Sequence, residues 1–256
     1  MSKIKAALFV GGVAAALCSS QVPSLAVLTS SRLVYAFSYS SNQNVSARDS
    51  ANPAQDYSSP TAVGANPMQS NGISHYHGSL TDKGTMTVQI VRQQSDGGLI
   101  VEISEQGENT RRASAALCVV YGNTQVICDP NKTVYPEEYT LLRFLGTNFV
   151  DPAQLDANRH WSINESSSST NVKADYVINS NSNGIMQIGE TRSIRNAGGG
   201  SLTTDVQTKI GYDYSRAIPT SVDEYVTQRQ DNGVTGTTTT IYQTTLNLVS
   251  SSSGQS

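Results

Sequence analysis

Apolar residues in this chain fall at every second position over long stretches, with Ser, Thr, Asn, Gln and charged residues between them. Leu33, Tyr35, Phe37 and Tyr39 open the pattern. It returns in Val172, Ala174, Tyr176 and Ile178, then in Met186 and Ile188, in Leu202, Val206, Ile210, Tyr212 and Tyr214, and in Val222 and Val226. In the last stretch either Ile241 or the set Tyr242, Leu246 and Leu248 forms the apolar side. A period of two sets one face on a core and the other in water, so each stretch predicts a half-buried β-strand. Turn residues punctuate the series at Asn181-Ser182-Asn183-Gly184, Asn196-Ala197-Gly198-Gly199-Gly200, Ala217-Ile218-Pro219 and Asp231-Asn232-Gly233. Strands joined by such short turns are antiparallel neighbours, which predicts a meander. A sheet this wide curls around its own core or packs on a second layer, because strongly twisted sheets do not stay flat.

The first half carries the same pattern less evenly. Thr81-Asp82-Lys83-Gly84 lies between two strand-like runs and predicts a hairpin turn, as do Ser95-Asp96-Gly97-Gly98 and Gln106-Gly107-Glu108-Asn109. Residues 40–71 are polar, contain Pro53, Pro60 and Pro67, and show no period, which predicts a long flexible loop. Residues 133–158 predict a helical insert. Pro136, Glu137 and Glu138 suit a first helical turn, a nearly apolar run follows to Leu145, and Gly146 stands just past its end. Asp151-Pro152-Ala153-Gln154 predicts a second short helix ending near Asn158.

Two cysteines flank Asn123 at equal distances, in Cys118-Val119-Val120-Tyr121-Gly122-Asn123-Thr124-Gln125-Val126-Ile127-Cys128. With a two-residue turn at Gly122-Asn123 the cysteines fall on opposite faces. With a three-residue loop over Gly122-Asn123-Thr124, Cys118 opposes Cys128, Val120 opposes Val126 and Val119 opposes Ile127. Directly opposed residues bring their Cβ atoms within disulfide reach, so this register and a Cys118–Cys128 bond are expected. The spacing suits neither a redox pair nor a zinc knuckle. Apolar residues on both faces predict that the hairpin is covered.

The amino terminus changes the picture of where the protein works. Lys3 and Lys5 precede an apolar stretch from Ala6 to Leu17 that is short for a membrane span, and small residues stand before Ala26. That order is expected of a secretory signal peptide, residues 1–26, cleaved near Ala26, which predicts an extracytoplasmic protein, periplasmic or secreted. Cleavage removes Cys18 and leaves an even pair, in keeping with an oxidising compartment. It also leaves 15 basic and 20 acidic residues, a net charge of −5, which offers no basic footprint for nucleic acid. No further apolar run suggests a transmembrane anchor. Residues 27–249 are expected to form one β-rich domain, and residues 250–256 a disordered serine-rich tail.

The fold class expected is therefore mainly β: a curved antiparallel meander, open or half-barrel, with a small two-helix insert. In element order and face pattern the chain resembles the half-barrel of bacterial periplasmic lipoprotein carriers and their mycobacterial lipid-binding relatives. That resemblance implies a concave apolar face that shelters acyl chains, and it matches no motif residue by residue.

Candidate chemistry is sparse. His75 and His77 stand two apart on an expected strand, which puts both imidazoles on one face where they could share a metal, or where they simply flank Tyr76. His160 lacks a recognisable nucleophile and orienting acid in sequence. Tyr139, Leu142, Trp161, Tyr176, Tyr212 and Tyr214 are candidates to line a ligand cavity, or to fill a taper in the core. No cofactor is implied. The reading these features favour is a non-enzymatic secreted or envelope protein that binds a lipid or other apolar molecule. A structural or adhesive envelope protein is the alternative, and a metal-dependent hydrolase the third.

Overall fold

The computed structural model describes residues 31–48, 68–70, 73–108, 115–121, 125–146, 149–150, 159–167, 170–196, 201–231 and 236–252. In chain order these form β1 (Arg32–Arg48), β2 (Met68–Ser70), β3 (Ile73–Gln93), β4 (Leu99–Gly107), β5 (Ala116–Tyr121), β6 (Gln125–Cys128), α1 (Pro136–Leu142), β7 (His160–Ser166), β8 (Thr170–Ser182), β9 (Ile185–Asn196), β10 (Ser201–Asp213), β11 (Ile218–Asp231) and β12 (Gly236–Ser252). All strands belong to one antiparallel sheet. Eleven of them lie in the order β6-β5-β4-β3-β1-β12-β11-β10-β9-β8-β7, and β2 pairs with β3 beside that path. The path does not close: β6 and β7 are its two ends.

One face of this sheet is dry. Leu33, Tyr35 and Phe37 on β1, Met86, Val88 and Ile90 on β3, Val101 and Ile103 on β4, Tyr176 on β8, Ile188 on β9, Ile210 on β10, Val222 on β11 and Leu246 on β12 are all buried. They join Val120 near one end of the sheet and Trp161 near the other in a single hydrophobic cluster. Among the described residues no second sheet covers them, so strands from opposite ends reach one core because the sheet curves around it. The alternation of the last third is thus the inner face of a half-barrel, with Tyr242, Leu246 and Leu248 rather than Ile241 on the inner parity of β12.

The helix α1 fills the concavity. Pro136 stands in its first turn with Glu137 and Glu138, and the Tyr135 N–H donates to the Glu138 carboxylate at 2.8 Å. Its ordered part is shorter than the apolar run suggests. Arg143 and Phe144 form a closing turn, Gly146 takes φ 97°, and the Gly146 N–H donates to the Ala217 carbonyl at 3.0 Å. Leu141, Leu142, Phe144 and Leu145 are fully covered, each such side chain stabilising the fold by about 1.5–3 kcal/mol. The second expected helix, at 151–158, lies outside the described residues, so α1 is the single helix among them.

Several boundaries differ from the sequence expectation. Of the expected loop at 40–71, residues 40–48 and 68–70 are strand, and 49–67 and 71–72 lie outside the described residues. Residues 40–48 continue β1, pairing with β3 from Thr81 back to Ile73 on one side and with β12 on the other. Pairing on both edges satisfies the backbone there without any apolar period. Thr81 to Gly84 is not a turn: β3 runs through it without interruption. Gly84 is needed for closeness, since a Cβ there would collide with the Gln106 carbonyl of β4. The serine tail also begins later, because Ser250, Ser251 and Ser252 pair with Val34, Leu33 and Arg32. Ile218 and Pro219 belong to β11, and the turn before it falls at 214–217.

The turns at Gln94 to Gly98 and at Asn183-Gly184 form where their residues predict, with positive φ at Gly97, Asn183 and Gly184. The cystine hairpin adopts the three-residue-loop register: Cys118 opposes Cys128, Val119 opposes Ile127 and Val120 opposes Val126, and the disulfide is present. Only its inner face is covered. Leu117 and Ile127 are about half exposed on the outside, because β6 is an edge strand and no described element packs against the convex surface there.

Candidate functional site

The strand register draws a transverse row of polar residues across the inner face. Tyr176 pairs with Glu190, Glu190 with Thr208, Thr208 with Glu224, Glu224 with Thr244, Thr244 with Tyr39 and Tyr39 with Asp82. All seven are buried. On one side of this belt lies the packed core, in which Ile188, Ile210, Val222, Leu246 and Phe37 form the neighbouring row.

The helix docks on the belt through its polar side. The Arg143 guanidinium donates to the Glu190 carboxylate at 3.1 Å and, through its other terminal nitrogen, to Glu224. Thr140 donates to the second Glu224 oxygen at 2.6 Å, and Thr208 to Glu190 at 2.6 Å. The Tyr176 hydroxyl donates to Glu190 at 2.9 Å. Burial opposes the Arg143 charge, but Glu190 and Glu224 outweigh it and hold its pKa above the ordinary arginine value. Burial and the adjoining Glu190 push the Tyr176 phenol up. One guanidinium thus holds two interior carboxylates, each with hydroxyl donors on its remaining lone pairs.

Beyond the belt the inner face is only partly covered among the described residues: Val206 is buried, and Val226 and Tyr242 are half-buried. Two further rows cross it: Arg192, Val206, Val226 and Tyr242, then Ile194, Thr204, Gln228 and Thr240. All of these but Thr240, with Pro136, Tyr139, Thr140 and Arg143 of the helix segment, line a cavity of about 410 Å³, to which Glu224 and Thr244 of the belt also contribute. That volume lies in the range of about 300–1,000 Å³ usual for small-molecule sites. Its middle is apolar, its far rim is polar, and its helix side carries the Arg143 network.

The sequence candidates separate at this point. Tyr139, 41% exposed, lines the cavity. Leu142, Trp161, Tyr176 and Tyr212 do not; they are core. Phe149 sits at the centre of a ring cluster with centroids 5.0 Å from Phe144, 5.9 Å from Trp161, 5.7 Å from Tyr176 and 5.2 Å from Tyr212, and Trp161 stacks on Tyr176 at 4.8 Å. These rings fill the taper beneath α1, and the Tyr212 hydroxyl is spent on the Gly146 carbonyl at 2.6 Å. Tyr214 is half-buried against the same core.

His75 and His77 lie on the far half of β3, opposite Ser46 and Asn44, and their side chains fall outside the described residues. Among the described residues no group of three or more His, Cys, Asp or Glu is arranged to hold a metal, and no helix is long and apolar enough to cross a membrane.

Arg143, Glu190, Arg192 and Glu224 were not sequence candidates. A signal for three of them is present: Glu190 and Arg192 share the parity of Met186 and Ile188, and Glu224 that of Val222 and Val226. A charge on the apolar parity of a strand must be paired or functional. Comparison of the chain with protein-family models, curated proteins and solved structures finds no match.

Proposed function

We propose that this is a non-enzymatic extracytoplasmic protein whose half-barrel carries a lipid or other amphipathic small molecule between α1 and β9 to β12. The carrying observation is the apolar row Val206, Val226 and Tyr242, which continues the core past the polar belt into a cavity that no described element fills. Half-buried apolar surface in a concave, rigid setting favours an apolar guest, because the guest removes the rest of it from water. The disulfide fits an oxidising compartment and agrees with the exported reading of the amino terminus. The likeness in element order to lipoprotein carriers belongs to the same proposal.

Native mass spectrometry of the purified protein, with extraction and identification of co-purifying lipid, tests this reading directly. An environment-sensitive apolar dye supplies the titration. Val226→Trp, placed where the cavity has room, is expected to lower dye affinity at least about tenfold with little change in unfolding midpoint. Unaltered dye binding in that variant, with no lipid in the wild-type extract, would sink the proposal.

A further inference from the structure

The geometry points to an acidic head group on the cavity's ligand, a carboxylate or phosphate monoester received by Arg192, with its tail laid across the strands toward Tyr242. This rests on the reading of the cavity as an amphiphile site and gives that amphiphile its chemistry.

Three charged side chains line the cavity: Arg143, Arg192 and Glu224. Arg143 and Glu224 are bonded to one another. Arg192 is different. Its Nε and Nη1 are closed to solvent yet make no hydrogen bond, and among the described residues it takes part in no ion pair. The nearest belt carboxylate on its own strand, Glu190, has already accepted Arg143, Tyr176 and Thr208. A guanidinium does not escape such a position by losing its proton, so its donors wait on an acceptor from outside the chain. Oxygens of a carboxylate or phosphate match the fork best, and turning the guanidinium toward the cavity presents an edge to them.

The register supplies the rest. Arg192 pairs with Val206, Val206 with Val226 and Val226 with Tyr242. A cation therefore heads a straight apolar track three interstrand steps long, about 14 Å at about 4.8 Å each. Head and tail are matched along one line, perpendicular to the strands.

Isothermal titration of the full-length protein with dodecanoate, dodecanol and dodecylammonium separates the claims. The acid is expected to bind at least about tenfold more tightly than the alcohol, with the ammonium weakest. Arg192→Met should weaken acid binding more than alcohol binding and so erase the preference for acid over alcohol, and Arg192→Lys should keep part of it. Equal affinity for acid and alcohol in the wild type, a comparison needing no variant, would overturn the head-group assignment alone. An undiminished preference in Arg192→Met would overturn it too. Failure of all three probes to bind would overturn the cavity reading itself.

Discussion

Glu138 shows what the helix gives up to lie where it does. Its carboxyl is pushed from 4.5 to about 7 by burial, against the Tyr135 N–H, which favours the charge, and with Glu137 adding to the rise. The folded state therefore keeps a proton that the unfolded chain has lost over that interval. The group costs nothing below about 4.5, and the cost grows as pH rises through about 7. Urea unfolding across this range is expected to show wild type losing more stability with rising pH than Glu138→Gln; parallel curves would refute the assignment. Arg143 makes the opposite case, a charge kept by its partners. Arg143→Met leaves Glu190 and Glu224 buried without a cation and is expected to cost about 3–5 kcal/mol in denaturant unfolding. Adding Glu190→Gln and Glu224→Gln should recover part of that loss, since the penalty lies in unpaired carboxylates rather than in the missing methylene contacts.

Elements were legible in sequence where one face of a strand is buried and the other wet. That condition holds for β8 to β12, and their alternation and order were readable. Of their turns, Asn183-Gly184 forms where its residues stand, Ile218 and Pro219 are already strand, and 197–200 and 232–235 lie outside the described residues. The condition fails for residues 40–48, which β3 and β12 hold straight from either edge, and for Thr81 to Gly84, which β1 holds straight, and no apolar period marks either stretch. Asp82 and Gly84 look like turn residues alone; in the sheet one joins the polar belt and the other permits close approach of β4. The cystine hairpin was readable because disulfide geometry rejects all but one register. Its position was not, since apolar residues on both faces do not reveal which face the curve leaves outside. The bond closes a short loop, separation 10, at the sheet's edge. Cys118→Ala with Cys128→Ala is expected to cost about 2–4 kcal/mol and to raise amide exchange in β5 and β6 before β8 to β12. Uniform loosening of the sheet would contradict an edge staple.

At the scale of the molecule, the candidate site arises from register. No stretch of sequence contains it: Arg143 comes from the insert, Glu190 and Arg192 from β9, Val206 from β10, Glu224 and Val226 from β11, and Tyr242 from β12. Each is a single departure or continuation within its own alternation, and only cross-strand pairing turns them into a belt and a track. The sequence candidates were chosen for size and aromaticity, which in this half-barrel select mostly the fillers of the taper, Tyr139 excepted. The cavity wall mixes large residues, Tyr139, Tyr242 and Arg192, with the smaller Val206, Val226 and Thr204, whose modest volume leaves room between them.

The place of β1 has a consequence in time. The strands β3 to β6 and β7 to β12 are each laid down by neighbours in sequence, yet among the described residues the sheet joins the two groups only through β1, paired with β3 on one edge and β12 on the other. The first strand of the sheet thus waits for the last. Until β12 is available, β1 has one partner and an open edge, and so does whichever strand ends the growing meander. Closure of the interior waits on the pairing of β1 with β12, a high-contact-order step that makes folding slow and leaves strand edges exposed meanwhile.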